Sequence, residues 1–341
     1  MSGNLNPVGM RSRGLEMNET QREIVPVPND SIANELRAGR MRSIKGRGKS
    51  QKSLDLVAAS HAILYEIHPA TVRAVCYRLF TMKLIPSMAT SNTNAVGKQL
   101  VWARETGVIP WNWIVDETRG AERIASWSDP EEILNTVASS YRKDYWGAQP
   151  NWVEVWSEKG TIRGTLAPVL EKYGVTFRVM HGYGSATALH GIAEETLRSD
   201  KWMTVLYLGD WDPSGSGMSE VDLPARMERY NGRVTVNRIA LDADDVAPGT
   251  DLPSFEAVTK SKGPRHKWFI ENYGHACWEL DALSPVILRQ RVDDEILALI
   301  DPGPWNQAVE VEAVEIASMS EFLGAWQGIC KPASKYSEGG D

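Results

Sequence analysis

Between Trp152 and Leu241 the chain alternates short apolar runs with amphipathic stretches, and this alternation constrains the fold more than any other feature. WVEVW reads as a strand, TIRGTLAPVLEKYG as a helix, TFRVM as a strand and SATALHGIAEETLRS as a helix. WMTVLYL is a third strand, GMSEVDLPARMERYN a third helix and RVTVNRIAL a fourth strand. Such alternation predicts an α/β fold: a Rossmann-like parallel sheet covered by helices on both faces. Ligands of these sheets bind beyond the carboxyl ends of the strands, where the strand order reverses. If the first and third strands are neighbours, the loops that meet there carry Ser157-Glu158-Lys159-Gly160 and Asp210-Trp211-Asp212.

The second loop belongs to LYLGDWDPSG, where two aspartates close an apolar strand. Asp is depleted in strands and costly to bury, so the pair caps the next helix or holds a cation. Three carboxylates converging with no buried cation nearby repel one another unless a divalent metal offsets them, and hard oxygen ligands favour magnesium. Glu158, Asp210 and Asp212 are therefore the candidate ligands. HGYGS, from His181 to Ser185, precedes a helix and is a weaker phosphate-cradle signal, equally well a turn.

Upstream the pattern is helical from Leu54 to about Trp113. One helix is expected to start near Pro69 and run through HPATVRAVCYRLFTMKLI, with Val72, Val75, Cys76, Leu79 and Phe80 on one stripe. A second, TNAVGKQLVWARETG, turns Val96, Leu100 and Ala103 inward and ends at Gly107. VIPWNWIVDETRG then reads as a short β-ribbon. Helix, turn, helix, ribbon is the winged-helix order, in which the second helix enters a major groove, with Lys98, Gln99 and Arg104 as its contacts.

Charge separates the two regions. Residues 1–128 carry 17 Lys/Arg against 11 Asp/Glu, whereas the rest carries 20 against 33. The densest basic stretch, RAGRMRSIKGRGKSQK, places Arg37, Arg40, Arg42, Lys45, Arg47 and Lys49 on a Gly/Ser-rich arm suited to phosphate neutralisation. The expected organisation is a flexible basic arm over 1–53, a winged-helix (CAP-like) DNA-binding domain over 54–147, the sheet domain over 148–300 and a C-terminal extension over 301–341. Three dispersed cysteines form no CxxC pair, and no apolar run approaches the ~18 residues of a membrane span. A cytoplasmic, nucleoid-associated protein with no membrane partner is expected.

Glu158 after one strand, with Asp210-x-Asp212-Pro-x-Gly215 two strands later, resembles the Toprim domain of topoisomerases and primases. With a preceding Thr71-x-Arg73-x-x-x-Tyr77, the order is similar to the A subunit of type IIB topoisomerases (topoisomerase VI) and the meiotic double-strand-break protein, over roughly residues 60–300. Where that family usually has an Asp after the arginine and an aromatic before the tyrosine, this chain has Ala74 and Cys76. WELDAL, Trp278 to Leu283, resembles a further acidic segment and adds Glu279.

The resemblance implies a stand-alone short form: a winged-helix domain followed by a Toprim domain, cleaving double-stranded DNA by tyrosine transesterification. Tyr77 would attack a phosphate to leave a 5′-phosphotyrosyl link, Arg73 would ease formation of its phenolate, and Mg2+ would sit on Glu158, Asp210 and Asp212. A homodimer is implied, and so is a separate ATPase or regulatory partner, since no ATPase segment is recognisable. Three other readings stay open: a Toprim metal-dependent nuclease with a structural Tyr77, a non-catalytic DNA-binding protein, and a haloacid-dehalogenase-like phosphatase using Asp244-Asp245. The last family places its Asp-x-Asp on the first strand, not the third.

Overall fold

The computed structural model describes residues 49–115, 125–180, 185–256 and 263–329. Its first unit is helical. Helix α1, Gln51–Ile67, starts where Ser50 accepts from the Ser53 amide, so helix begins inside the stretch expected to be a flexible arm. Helix α2, Val72–Thr81, starts three residues later than Pro69 suggested. The reason is Thr71, whose hydroxyl accepts from the Ala74 amide at 3.0 Å, while Ala70 is held in a bridge to Ile114. Helix α3, Thr90–Glu105, ends as expected, with Gly107 at φ 76°. Val57, Leu64, Val75, Leu79, Leu100 and Ile109 form the core between these helices.

The expected ribbon after α3 differs. Trp111–Trp113 is a 3-10 turn, and the only extended pairing in the described part of this segment is the single Ala70–Ile114 bridge. Residues 116–120 lie outside the described residues. The tryptophans explain the turn: the Trp113 ring stacks on His68 at 4.7 Å and lies 5.1 Å from His61, which fastens the segment back onto α1.

The second unit is built on strands β1 (Asn151–Ser157), β2 (Thr176–Val179), β3 (Trp202–Leu208) and β4 (Val234–Ala240). All neighbours are parallel, in the order β2-β1-β3-β4, so the first and third strands are adjacent. Three more helices follow Pro130–Ser140 (α4), namely α5 (Arg163–Tyr173), α6 (Ala186–Ser199) and α7 (Pro213–Gly217). A π-helical turn, Met218–Asp222, joins α7 to α8 (Leu223–Arg229). One sheet face packs Val153, Val155, Leu206 and Leu208 against Leu166 and Leu170 of α5. The other packs Trp156, Met203, Val205 and Tyr207 against Leu189, Met218 and Met227. Both faces are therefore covered by helices, which is why these strands read as continuous apolar runs.

After β4, strand β5 (Phe255–Glu256) pairs antiparallel with β6 (Ala276–Cys277), with helix α9, Pro264–Tyr273, between them. Helix α10, Pro285–Leu299, adds Leu288, Val292 and Ile296 to the first face. The expected C-terminal extension contains helix α11, Pro302–Ile329. Its Glu312 and Glu315 accept hydrogen bonds from Tyr141, Lys143 and Tyr145, and it packs on α4, so α4 is joined to the C-terminal helix. Among the described residues no helix is long and apolar enough to cross a membrane.

Candidate functional site

Because β1 pairs with β3, Glu158 and the Gly209–Asp212 turn emerge side by side at the carboxyl edge of the sheet. The turn is tight. A Cβ on Gly215 would meet the Asp210 carbonyl oxygen at 2.2 Å, so only glycine lets α7 start this close to Asp210. Asp212 caps that helix: its Oδ1 accepts from the Ser214 amide at 2.9 Å and the Gly215 amide at 2.7 Å. Asp210 is buried, and its Oδ1 accepts from the Leu280 amide at 2.7 Å.

The expectation that no buried cation lies nearby is wrong. Lys159 places its ammonium 2.7 Å from Asp210 and 3.0 Å from Asp281, with Glu279 at 3.9 Å. Burial would lower its pKa, but Asp281 and Asp210 overcome this and hold it fully charged. Arg238 on β4 also reaches the mouth and donates from Nη2 to the Asp210 carbonyl. Among the described residues, no group of three or more His, Cys, Asp and Glu side chains is gathered as a ready metal centre.

The carboxylates nonetheless feel one another. Burial, then the charges of Asp210 and Asp212, push Glu158 up to about 7. Burial also raises Asp210, against the opposing pull of Lys159. The bonds seen to the Asp210 and Asp212 side chains among the described residues go to Oδ1 of each. Five carboxylates (Glu158, Asp210, Asp212, Glu279, Asp281) face three cations (Lys159, Arg73, Arg238), which leaves two negative charges when all are ionised. Oxygen-only donors and that residual charge fit a hard divalent cation.

The N-terminal unit docks directly on this mouth. Arg73 of α2 makes a two-pronged ion pair with Glu279, and the Thr71 hydroxyl donates to Asp281 at 3.0 Å. Arg289 of α10 fastens the same junction, donating to the carbonyls of Ile67, His68, Pro69 and Thr165. Tyr77 lies one turn on from Arg73, whose guanidinium carbon is 5.7 Å from its ring centroid. Arg73 does pull the phenol toward ionisation, as its spacing suggested. Burial and the Glu279 charge outweigh that pull, and the hydroxyl is held well above its ordinary pKa, with Tyr77 only 5% exposed.

The expected DNA contacts divide. Lys98 is exposed on α3 and lines, with Arg73, Cys76 and Asn94, a groove of about 600 Å³ between α2 and α3. Lys49 is folded onto the same helix, donating to Gln99 at 2.7 Å with its ammonium 4.9 Å above the Trp102 ring. Arg104 stacks on Trp111 at 4.8 Å. Arg37, Arg40, Arg42, Lys45 and Arg47 lie outside the described residues, as do residues 181–184 of HGYGS. Its remaining member, Ser185, caps α6 through the Ala188 amide. Asp245 is a structural partner, taking both prongs of Arg291 at 2.7 and 2.8 Å, so the Asp244-Asp245 pair is not a free acidic site.

Three residues of the mouth escaped the sequence reading: Lys159, Asp281 and Arg238. Two had a signal, since Lys159 adjoins Glu158 and Asp281 lies in WELDAL; nothing local marks Arg238. No protein-family model matches this chain, and neither the curated proteins nor the solved structures yield a match.

Proposed function

We propose that the chain binds double-stranded DNA and cleaves it in a magnesium-dependent transesterification. The observation that carries this reading is the docking of α2, bearing Arg73 and Tyr77, onto the carboxylate mouth through Glu279 and Asp281. The winged-helix and Toprim assignments of the two units belong to the same proposal, as do a nucleoid location, a homodimer and a separate ATPase or regulatory partner. Magnesium on Glu158, Asp210 and Asp212 would supply Lewis-acid charge neutralisation at the reacting phosphate. The Tyr77 oxygen forms a bond to phosphorus as the bond to the 3′ oxygen breaks, which conserves one phosphodiester per cut. The phenolic proton leaves by way of Glu279, the carboxylate beside it, to solvent, and the departing 3′ oxygen takes one up from solvent, so the two transfers balance. Lys98 and the groove beside it would receive the duplex backbone.

Supercoiled plasmid incubated with the protein and magnesium tests this. Nicked or linear products that enter the gel only after protease treatment are expected, with none in EDTA. Full cleavage in EDTA rejects the proposal. One observation favours a second reading: the buried, reluctantly ionised Tyr77 suits a metal-dependent nuclease in which that tyrosine is structural. That reading gives cut plasmid with and without protease alike.

A further inference from the structure

Among the described residues of the mouth, Arg238 has charged donors that are buried and unpaired. It stands at the carboxyl end of β4, in register with Tyr207 of β3. Its guanidinium carbon lies 5.5 Å from the Tyr207 ring centroid and 5.5 Å from that of Trp211, so two aromatic rings fix its place. Nη2 donates to the Asp210 carbonyl. Nε and Nη1 are sealed from solvent and have no acceptor among the described residues. Buried guanidinium N–H groups without partners are rare in native proteins and call for an explanation.

The nearby acids do not supply one. Glu158, Asp210 and Asp212 are close enough for their charges to act on Arg238, yet none accepts from Nε or Nη1. Glu220, in the π-helical turn opposite, already accepts from the Tyr273 hydroxyl. Such π turns are often found where a helix is deformed around a functional site. The arginine is thus preset, with its stacking and its Asp210 bond satisfied and two nitrogens, Nε and Nη1, in reserve beside the mouth.

We infer that Arg238 is an oxyanion ligand of this mouth, giving Nε and Nη1, which are closed to solvent here, to a phosphate oxygen of the substrate once the side chains over them part. The inference rests on the nucleic-acid reading above and adds a residue that reading does not contain. Arginine suits the task because it is permanently charged and its planar donors match phosphate oxygens. Two negative charges at the mouth would repel a phosphate arriving alone, so its binding here requires the divalent cation.

Calorimetry on the full chain separates the two ideas. Magnesium chloride is titrated first, then inorganic phosphate or tetrathymidylate lacking terminal phosphates, into wild type, Arg238→Met and Arg238→Lys. The lysine variant keeps a charge and one bond to the Asp210 carbonyl while losing the planar donors, so it reads the oxyanion role even if the methionine variant misfolds. Magnesium heat is expected to survive in Arg238→Lys while phosphate-ester affinity falls by about tenfold or more, the loss of a charge-assisted hydrogen bond. A loss seen with tetrathymidylate assigns the ligand to a nucleic-acid backbone, and one seen with inorganic phosphate alone assigns it to free phosphate. Intact magnesium heat with unchanged affinity for both probes overturns the role of Arg238 only. No magnesium heat in wild type overturns that role and the proposed function together.

Discussion

Single residues in the mouth carry two duties, and substitutions separate them. Asp210 anchors the Leu280 amide and Lys159 through Oδ1, and in the proposed function its carboxylate would also hold magnesium. Asp210→Ala therefore strands a buried N–H and costs about 1–3 kcal/mol of stability in addition to activity. Asp210→Asn keeps an acceptor for Leu280, so it should abolish magnesium-dependent cleavage with a much smaller fall in thermal midpoint. Wild-type cleavage by Asp210→Asn would remove this carboxylate from the site. Lys159→Met leaves Asp210 and Asp281 without their shared cation, and breaking a buried pair in this way costs about 3–5 kcal/mol. Denaturant unfolding that shows less than 1 kcal/mol, as an order of magnitude, would mean the ammonium is dispensable.

At the scale of elements, α1 and α2 are placed by contacts that can be tested singly. His61 on α1 is buried against Trp113, its Nδ1 has no partner among the described residues, and burial lowers its pKa from 6.5. In the unfolded chain it takes up a proton near pH 6.5, whereas the folded chain resists until lower pH, so its stability contribution is present above pH 6.5 and lost on acidification. The thermal midpoint of wild type should fall from pH 7.5 to pH 5, and His61→Phe should flatten that fall. Equal slopes would show that His61 does not govern it. Arg289→Met removes the staple from the α1–α2 junction and should cost about 2–3 kcal/mol. Amide exchange in α2 should accelerate more than in β3, because β3 is held by its neighbours in the sheet.

The same elements show what the sequence could disclose. The four parallel strands were readable, three from apolar-rich runs of seven residues and the four-residue β2 from its place between two helical stretches, and Glu158, Asp210 and Asp212 follow from where those strands end. Their order was not readable; the adjacency of β1 and β3 entered only as a condition. What compensates those carboxylates was not readable either. Lys159 meets Asp281 across 122 positions and Arg73 meets Glu279 across 206, contacts set by how the 278–283 turn folds back over the sheet. Helical spacing showed that Arg73 adjoins Tyr77 but could not show the Glu279 carboxylate, which helps reverse the shift on the phenol. The ribbon after α3 failed for a similar reason, since stacking of Trp113 on His68 overrides the strand propensity of its neighbours.

The whole molecule is electrically divided, with a basic first third and an acidic remainder. A polyanion should therefore be drawn to the N-terminal region and repelled by most of the sheet unit, except where a divalent cation offsets the mouth. Lys98 and the α2–α3 groove supply a fixed part of that attraction, and residues 1–48 hold the five further cations between Arg37 and Arg47. Removing residues 1–48 stops short of Lys49, which packs on Trp102, and of the Ser50 cap, so α1 is left whole. Each phosphate neutralised contributes roughly 0.9 to the slope of log affinity against log salt. Loss of the arm should lower that slope by about one for each of its cations that touches DNA, weakening binding similarly for unrelated sequences. Lys98→Gln, tested in the shortened chain, should lower it by about one more. If the slope is the same with and without residues 1–48, those cations do not contact the backbone, and the groove between α2 and α3 must account for the whole electrostatic attraction.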